Sequence, residues 1–111
     1  VFVDSAAPEL TDVRFAGQSR VGRASDLLYT LDERSTVEVE IYRLFRNKPS
    51  QYRGLLSRKG SIGWNEQRLP AKIRGRKLEA GSYLATVRAV DAAANASRDV
   101  EIEFTVRASR R

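Results

Sequence analysis

The chain of 111 residues is 41% hydrophobic and carries a formal net charge of +6, with no cysteine, histidine or methionine. This length fits one domain that buries its own core without disulfides, while the missing cysteine and histidine remove thiolate metal sites and the commonest general base. No apolar run reaches the roughly 18 residues needed to span a bilayer, so neither membrane insertion nor a bound cofactor is predicted.

The first half of the chain predicts three strands, because apolar and polar residues alternate with a period of two. Residues 1–8 are predicted to be a linker or the end of a preceding module. Turns are predicted over 17–23 and 32–35. The strands are predicted over 9–16, 25–31 and 36–45. The residues predicted to face inward are Leu27, Tyr29 and Leu31 in the second strand and Val37, Val39 and Ile41 in the third.

The second half begins with turn-forming residues. Asn47 and Pro49 predict a break over 46–50, and two glycines predict a turn over 58–63. Between these breaks a short fourth strand is predicted over 51–57. The fifth strand covers 64–69 and ends at Pro70, and 71–77 is a basic connection.

The last hairpin is the clearest part of the chain. Tyr83, Ala85, Val87 and Ala89 share one predicted face, as do Val100, Ile102, Phe104 and Val106. The residues between them, 91–97, are small or turn-forming and predict a loop. The pattern Leu-x-x-Gly-x-Tyr at 78–83 is similar to the entry of a sandwich strand whose tyrosine hydroxyl bonds back to the preceding corner.

Seven short strands separated by turns predict an all-β fold over residues 9–107, namely a seven-stranded antiparallel sandwich without a disulfide, with 108–111 as a tail or linker. The chain resembles the immunoglobulin-like or fibronectin-III-like accessory modules that occur in tandem in secreted proteins of high-GC bacteria. The segments that carry this resemblance are 31–33, 37–41, 78–83, 89–97 and 104–106.

The resemblance implies a non-catalytic spacer or interaction module within a larger exported or cell-surface protein. Its partners would be neighbouring domains of the same chain, and its location extracellular. One position departs from the pattern, since Ala94 stands where these modules have glycine. Alanine costs on the order of 1 kcal/mol in a left-handed backbone. We therefore expect Asn95 to take that conformation, or the loop to be reshaped.

Charge is unevenly distributed along the chain. Residues 43–77 contain eleven basic residues and one acid, so this segment carries +10 and the remainder −4. The segment is either an ordinary solvated basic face or a binding surface for phosphate, anionic polysaccharide or an acidic protein. The candidate ligand-binding residues are Arg53, Arg58, Lys59, Arg68, Arg74, Arg76 and Lys77. Nucleic acid is not a predicted partner, because the segment has no RNP-like motif and no recognition helix.

Other candidate sites have structural alternatives. Asp91 and Asn95 offer oxygens to calcium, although Asp91 also suits an Asx turn, and no metal site is predicted. Tyr42, Tyr52 and Trp64 either stack on sugar rings or cover a strand face and the sandwich end. No nucleophile elbow, Ser-x-x-Lys motif or phosphate loop is present, so an enzyme is not predicted. An edge strand that pairs with a neighbouring protein is a third functional possibility.

Overall fold

The computed structural model describes residues 7–17, 19–22 and 25–108, which form strands and connections without a helix. Most of the predicted linker (1–6) and tail (109–111) lies outside the described residues. No helix in the described ranges is long and apolar enough to cross a membrane. The strands are β1 (Leu10–Ala16), β2 (Ser19–Arg20), β3 (Ser25–Leu31), β4 (Ser35–Phe45), β5 (Lys48–Gly60), β6 (Gly63–Leu69), β7 (Lys72–Ile73), β8 (Arg76–Lys77), β9 (Gly81–Val90) and β10 (Val100–Arg107).

The strands form two main sheets and a separate small hairpin. One sheet has the order β1-β3-β6, the other β2-β10-β9-β4-β5, and β7 pairs with β8. All pairs are antiparallel except the two-residue β2, which runs parallel to β10. The all-β, antiparallel prediction is confirmed. The strand count differs, because β2, β7 and β8 are two-residue strands that alternation cannot reveal.

The core lies between the two main sheets. Alternate side chains are buried throughout β3, over residues 35–41 of β4 and over residues 85–89 of β9, as the period of two predicts. Burying each larger aliphatic or aromatic side chain contributes about 1.5–3 kcal/mol relative to leaving it exposed. The side chains no more than 1% exposed are Leu27, Tyr29, Leu31, Val37, Val39, Ile41, Tyr83, Ala85, Val87 and Ala89. The chain therefore has a sandwich-like core shared by both sheets.

The hairpin of β4 and β5 differs from the prediction. Only Arg46 and Asn47 separate the two strands, and both have positive φ (52° and 64°), as a type I′ turn requires. The predicted break over 46–50 is therefore confirmed only at residues 46 and 47, whereas 48–50 belong to β5, which runs for 13 residues. Pro49 is accommodated because β5 is an edge strand, where a missing N–H need not break a ladder.

The predicted turn over 58–63 is also mostly strand. Only Ser61 and Ile62 separate β5 from β6. Gly60 lies inside β5, where a Cβ atom would come within 2.5 Å of the Leu31 side chain. This glycine is thus explained by close packing against the opposite sheet.

The basic connection over 71–77 is a small hairpin, β7–β8, with a two-residue turn. Arg74 and Gly75 form this turn with φ of 54° and 77°. Ile73 is 3% exposed and anchors the hairpin in the core. It lies against Gly54 of β5, where a Cβ atom would be only 2.6 Å from Cγ2 of Ile73. The absence of a side chain at residue 54 therefore lets the hairpin pack on β5.

Candidate functional site

The β7–β8 hairpin concentrates positive charge on one short element. Four of its six residues are basic, and all four are exposed: Lys72, Arg74, Arg76 and Lys77. Their side chains form no ion pair or hydrogen bond with any residue in the described ranges. Unpaired cations on one short hairpin create a local positive potential that attracts anions.

A groove of about 260 Å³ runs between this hairpin and β5. No acidic residue lines it, and its walls combine arginine, an amide and an aromatic ring. The lining residues are Gln51, Tyr52, Arg53, Ile73, Arg74 and Arg76. The groove therefore offers a charged, partly apolar concave surface of the kind that fixes a small polar group.

Arg53 forms part of the groove wall but is 6% exposed. Its Nη1 donates to Oε1 of Glu79 at 3.0 Å, and its Nη2 donates to the Lys77 carbonyl at 3.4 Å. Nη1 of Arg43 donates to Oε2 of Glu79 at 3.1 Å, and Nη2 of Arg43 donates to the Ala80 carbonyl. Arg53 thus pins the corner before β9, and its charge is paired with the Glu79 carboxylate.

Glu79 is held as a carboxylate by these two arginines. The hydrogen bond from Arg53 is the main influence that lowers the pKa of Glu79, and the charge of Arg43 adds to it. Its side chain is 57% exposed, so solvent screens both pairs. Because each Glu79 oxygen already has an arginine, this acid leaves the hairpin cations unneutralised.

The remaining predicted ligand-binding residues do not line the groove. Arg58 and Lys59 lie farther along β5, where they pair with Val37 and Thr36. Arg68 belongs to β6 in the other sheet and lies 3.5 Å from Asp26. Of the seven predicted residues, the structure brings together Arg53, Arg74 and Arg76 in the groove and Lys77 beside them on the hairpin.

Sequence reasoning missed Lys72 and the groove itself. The signal that was available is Gly75, because glycine readily takes the positive φ that the second position of a two-residue hairpin turn requires. Such a turn pairs Lys72 with Lys77 and places them on one hairpin. The depth of the groove depends on Gly54, which alternation along β5 does not indicate.

The loop between β9 and β10 is stabilised by Asp91. Its Oδ1 accepts hydrogen bonds from the backbone N–H groups of Ala93 and Asn95, both at 2.9 Å, and its Oδ2 accepts from Nδ2 of Asn95 at 3.2 Å. Burial favours the neutral acid, but these bonds outweigh it and lower the pKa of Asp91. The Asx-turn interpretation is confirmed. Within the described ranges, no three metal-ligating side chains gather in one place.

Ala94 itself takes the left-handed conformation, with φ of 66°. The expectation that Asn95 would take it is therefore wrong. The Ala94 N–H donates to the Asp91 carbonyl at 3.0 Å, and the Asp91 N–H donates to the Asn95 carbonyl at the same distance. These bonds hold residue 94 in place despite its Cβ.

The candidate aromatic residues lie on two different sheets. Tyr42 and Tyr52 contact each other edge-on across β4 and β5, with ring centroids 5.3 Å apart. Trp64 does not plug the sandwich end: it lies on the outer face of the other sheet, 50% exposed and opposite Thr30. The Arg14 guanidinium is 5.1 Å from its ring centroid. These rings therefore form no continuous aromatic row.

No model of a known protein family matches the chain, and no curated protein matches it either.

Proposed function

We propose that the chain is a non-catalytic immunoglobulin-like or fibronectin-III-like module that spaces neighbouring domains of a larger exported or cell-surface protein. The strand order supports this class, since β1-β3-β6 and β10-β9-β4-β5 correspond to A-B-E and G-F-C-C′. The Tyr83 hydroxyl donates to the Glu79 carbonyl, four residues upstream, at 2.7 Å. This is the corner bond expected in such modules.

The observation that carries the spacer role is the direction of the chain. Leu10, the first residue of β1, pairs with Leu31, whereas Arg107, the last residue of β10, pairs with Arg20 beyond the other end of β1. The chain thus enters the sandwich at one end and leaves it at the opposite end. The eight residues of β10 alone extend roughly 25 Å. Neighbouring domains attached at these ends would be held apart.

Paired spin labels test this geometry, because the chain has no cysteine of its own. We expect cysteines at Ala7 and Ala108 to give one long, narrow distance distribution by pulsed electron paramagnetic resonance. Labels at Ala7 and Ser61, at the same end, should give a shorter distance. Equal distances, or a broad distribution for the first pair, would contradict the spacer role, and hydrolase or transferase activity in the isolated domain would contradict the non-catalytic role.

Polyanion binding is a second candidate function, and the unpaired cations of the β7–β8 hairpin favour it. Salt screens the attraction between exposed lysine or arginine side chains and an anionic matrix, so retention should fall as the salt concentration rises. We expect charge reversal at Arg74 and Arg76 to shift elution from heparin to lower salt. The matched control reverses Arg98 and Arg107, which lie in the loop before β10 and at its end. Equal shifts in both variants would indicate net charge alone.

A further inference from the structure

We propose that the groove between β5 and the β7–β8 hairpin binds one acidic sugar unit of an anionic polysaccharide. In this assignment, Arg74 and Arg76 hold the carboxylate or sulfate group and Tyr52 supports the sugar ring. The inference rests on the second candidate function and assigns it a site and a ligand class.

The anionic part of the ligand is indicated by the arginines. Arg74 and Arg76 are exposed and unpaired among the described residues, and the buried Arg53 behind them is paired with Glu79, so no free acid faces the groove. The aliphatic part of the Arg74 side chain packs closely over the backbone of β5 at Gly54, since a Cβ atom on that glycine would lie only 3.2 Å from Cδ of Arg74. Planar guanidinium groups match carboxylate and sulfate oxygens better than a lysine does.

The sugar part of the ligand is indicated by the other side of the groove. Tyr52 is 44% exposed, and its ring is positioned by the edge-on contact with Tyr42. Such a ring presents a flat apolar surface on which the C–H face of a pyranose can pack. The exposed amide of Gln51 lies in the same groove and can exchange hydrogen bonds with hydroxyl groups.

A single-stranded nucleic acid fits the groove less well. Such ligands are bound by a basic track along which several aromatic rings stack successive bases. Tyr52 is the one aromatic residue among those that line the groove. One ring and a compact set of cations match one sugar unit and its acidic group.

The turn at Arg74 provides a variant that separates binding from folding. Asparagine is favoured over arginine at a turn position with positive φ, so Arg74→Asn should fold at least as stably as the wild type. Arg46→Asn is the matched control. It makes the same change with the same loss of charge at a turn of the same kind, and residue 46 does not line the groove.

The experiment measures binding by calorimetry with three probes: a heparin hexasaccharide, inorganic polyphosphate and a single-stranded DNA oligomer of matched charge. We expect Arg74→Asn to weaken hexasaccharide binding about tenfold, as the loss of a charged hydrogen bond implies, and Arg46→Asn to weaken it less than about twofold. Tyr52→Ala should weaken hexasaccharide binding about fivefold and leave polyphosphate binding unchanged.

Each alternative result overturns a stated part of the proposal. Equal effects of Arg74→Asn and Arg46→Asn would remove the groove as the site. Equal effects of Tyr52→Ala on hexasaccharide and polyphosphate would overturn the sugar assignment and leave polyanion binding standing. Tighter binding of the DNA oligomer would replace the polysaccharide by nucleic acid. If the wild type bound none of the three probes, polyanion binding would fail as well, while the spin-label distances would still decide the spacer role.

Discussion

Ala94 shows how a single residue can be held in an unfavourable conformation by its surroundings. Its φ of 66° lies in the left-handed region, where a Cβ is disfavoured, yet hydrogen bonds of Asp91 on both sides of the loop keep it there. The strain is local, because residue 94 is exposed on the surface of the loop.

Replacing Ala94 by glycine should therefore stabilise the domain. We expect Ala94→Gly to raise the free energy of unfolding by about 0.5–1 kcal/mol, because relief of the left-handed strain exceeds the added entropy of the unfolded chain. Urea unfolding measures the change. Ala92→Gly is the control in the same loop, where the backbone is not left-handed, and it should not stabilise. A loss of stability in Ala94→Gly would contradict the strain.

Glu79 gives stability a dependence on pH. Its pKa in the folded state is lowered below the usual value of 4.5, so the folded state favours the carboxylate more than the unfolded state does. This contribution is present above that usual value and is lost as the pH falls through the lower folded pKa. We expect Glu79→Gln to be less stable than the wild type near neutral pH and the difference to shrink on acidification.

Thermal unfolding from pH 7 to pH 2 measures this convergence. Glu101→Gln is the control, because Glu101 is exposed and forms no ion pair with a described residue. If the difference in thermal stability between Glu79→Gln and the wild type were the same at all pH values, the charge of the Glu79 carboxylate would not be what stabilises the corner before β9.

At the scale of elements, the β7–β8 hairpin depends on one apolar anchor. Ile73 is 3% exposed, and truncating a buried isoleucine to alanine costs about 2–5 kcal/mol. We expect Ile73→Ala to cost about 2 kcal/mol, because a hairpin this small can shift to reduce the cavity. Hydrogen exchange should show lost protection at residues 72–77 and retained protection where β4 pairs with β9.

The control for this variant is Ile62→Ala. Ile62 is 69% exposed in the connection between β5 and β6, so its truncation should change the free energy of unfolding by less than about 0.5 kcal/mol. If Ile73→Ala reduced protection equally across β4 and β9, the hairpin would be an integral part of the core and not a unit anchored upon it.

The elements that sequence reasoning placed well are those whose two faces meet different surroundings. In β3 and β9, one face meets the core and the other does not, so alternation is visible. β5 is an edge strand with two extra residues, Ser50 and Arg53, at which its register shifts, and this obscures any period. From the sequence, the candidate site could be predicted only as a segment rich in basic residues. Which of these residues line the groove depends on the ion pair between Arg53 and Glu79 and on the packing of the hairpin against Gly54, and neither contact leaves a pattern in the sequence.

At the scale of the whole molecule, Phe104 joins the two sheets. Phe104 belongs to β10 of the five-stranded sheet, and its side chain is 9% exposed. Its ring centroid lies 4.7 Å from that of Phe15 in the three-stranded sheet and 5.4 Å from that of Tyr83, on which the ring stacks within its own sheet. Within the described residues, no strand of one main sheet pairs with a strand of the other. Contacts between side chains of this kind must therefore make them unfold together.

Truncating this ring should destabilise both sheets at once. We expect Phe104→Ala to lower the free energy of unfolding by about 3–5 kcal/mol, whereas Phe45→Ala, at a ring 53% exposed, should change it by less than about 1 kcal/mol. Hydrogen exchange near the unfolding midpoint should show amides of β3 and β9 losing protection in parallel. If β3 lost protection while β9 retained it, the sandwich would consist of two separable layers, and its role as a rigid spacer would lose its mechanical basis.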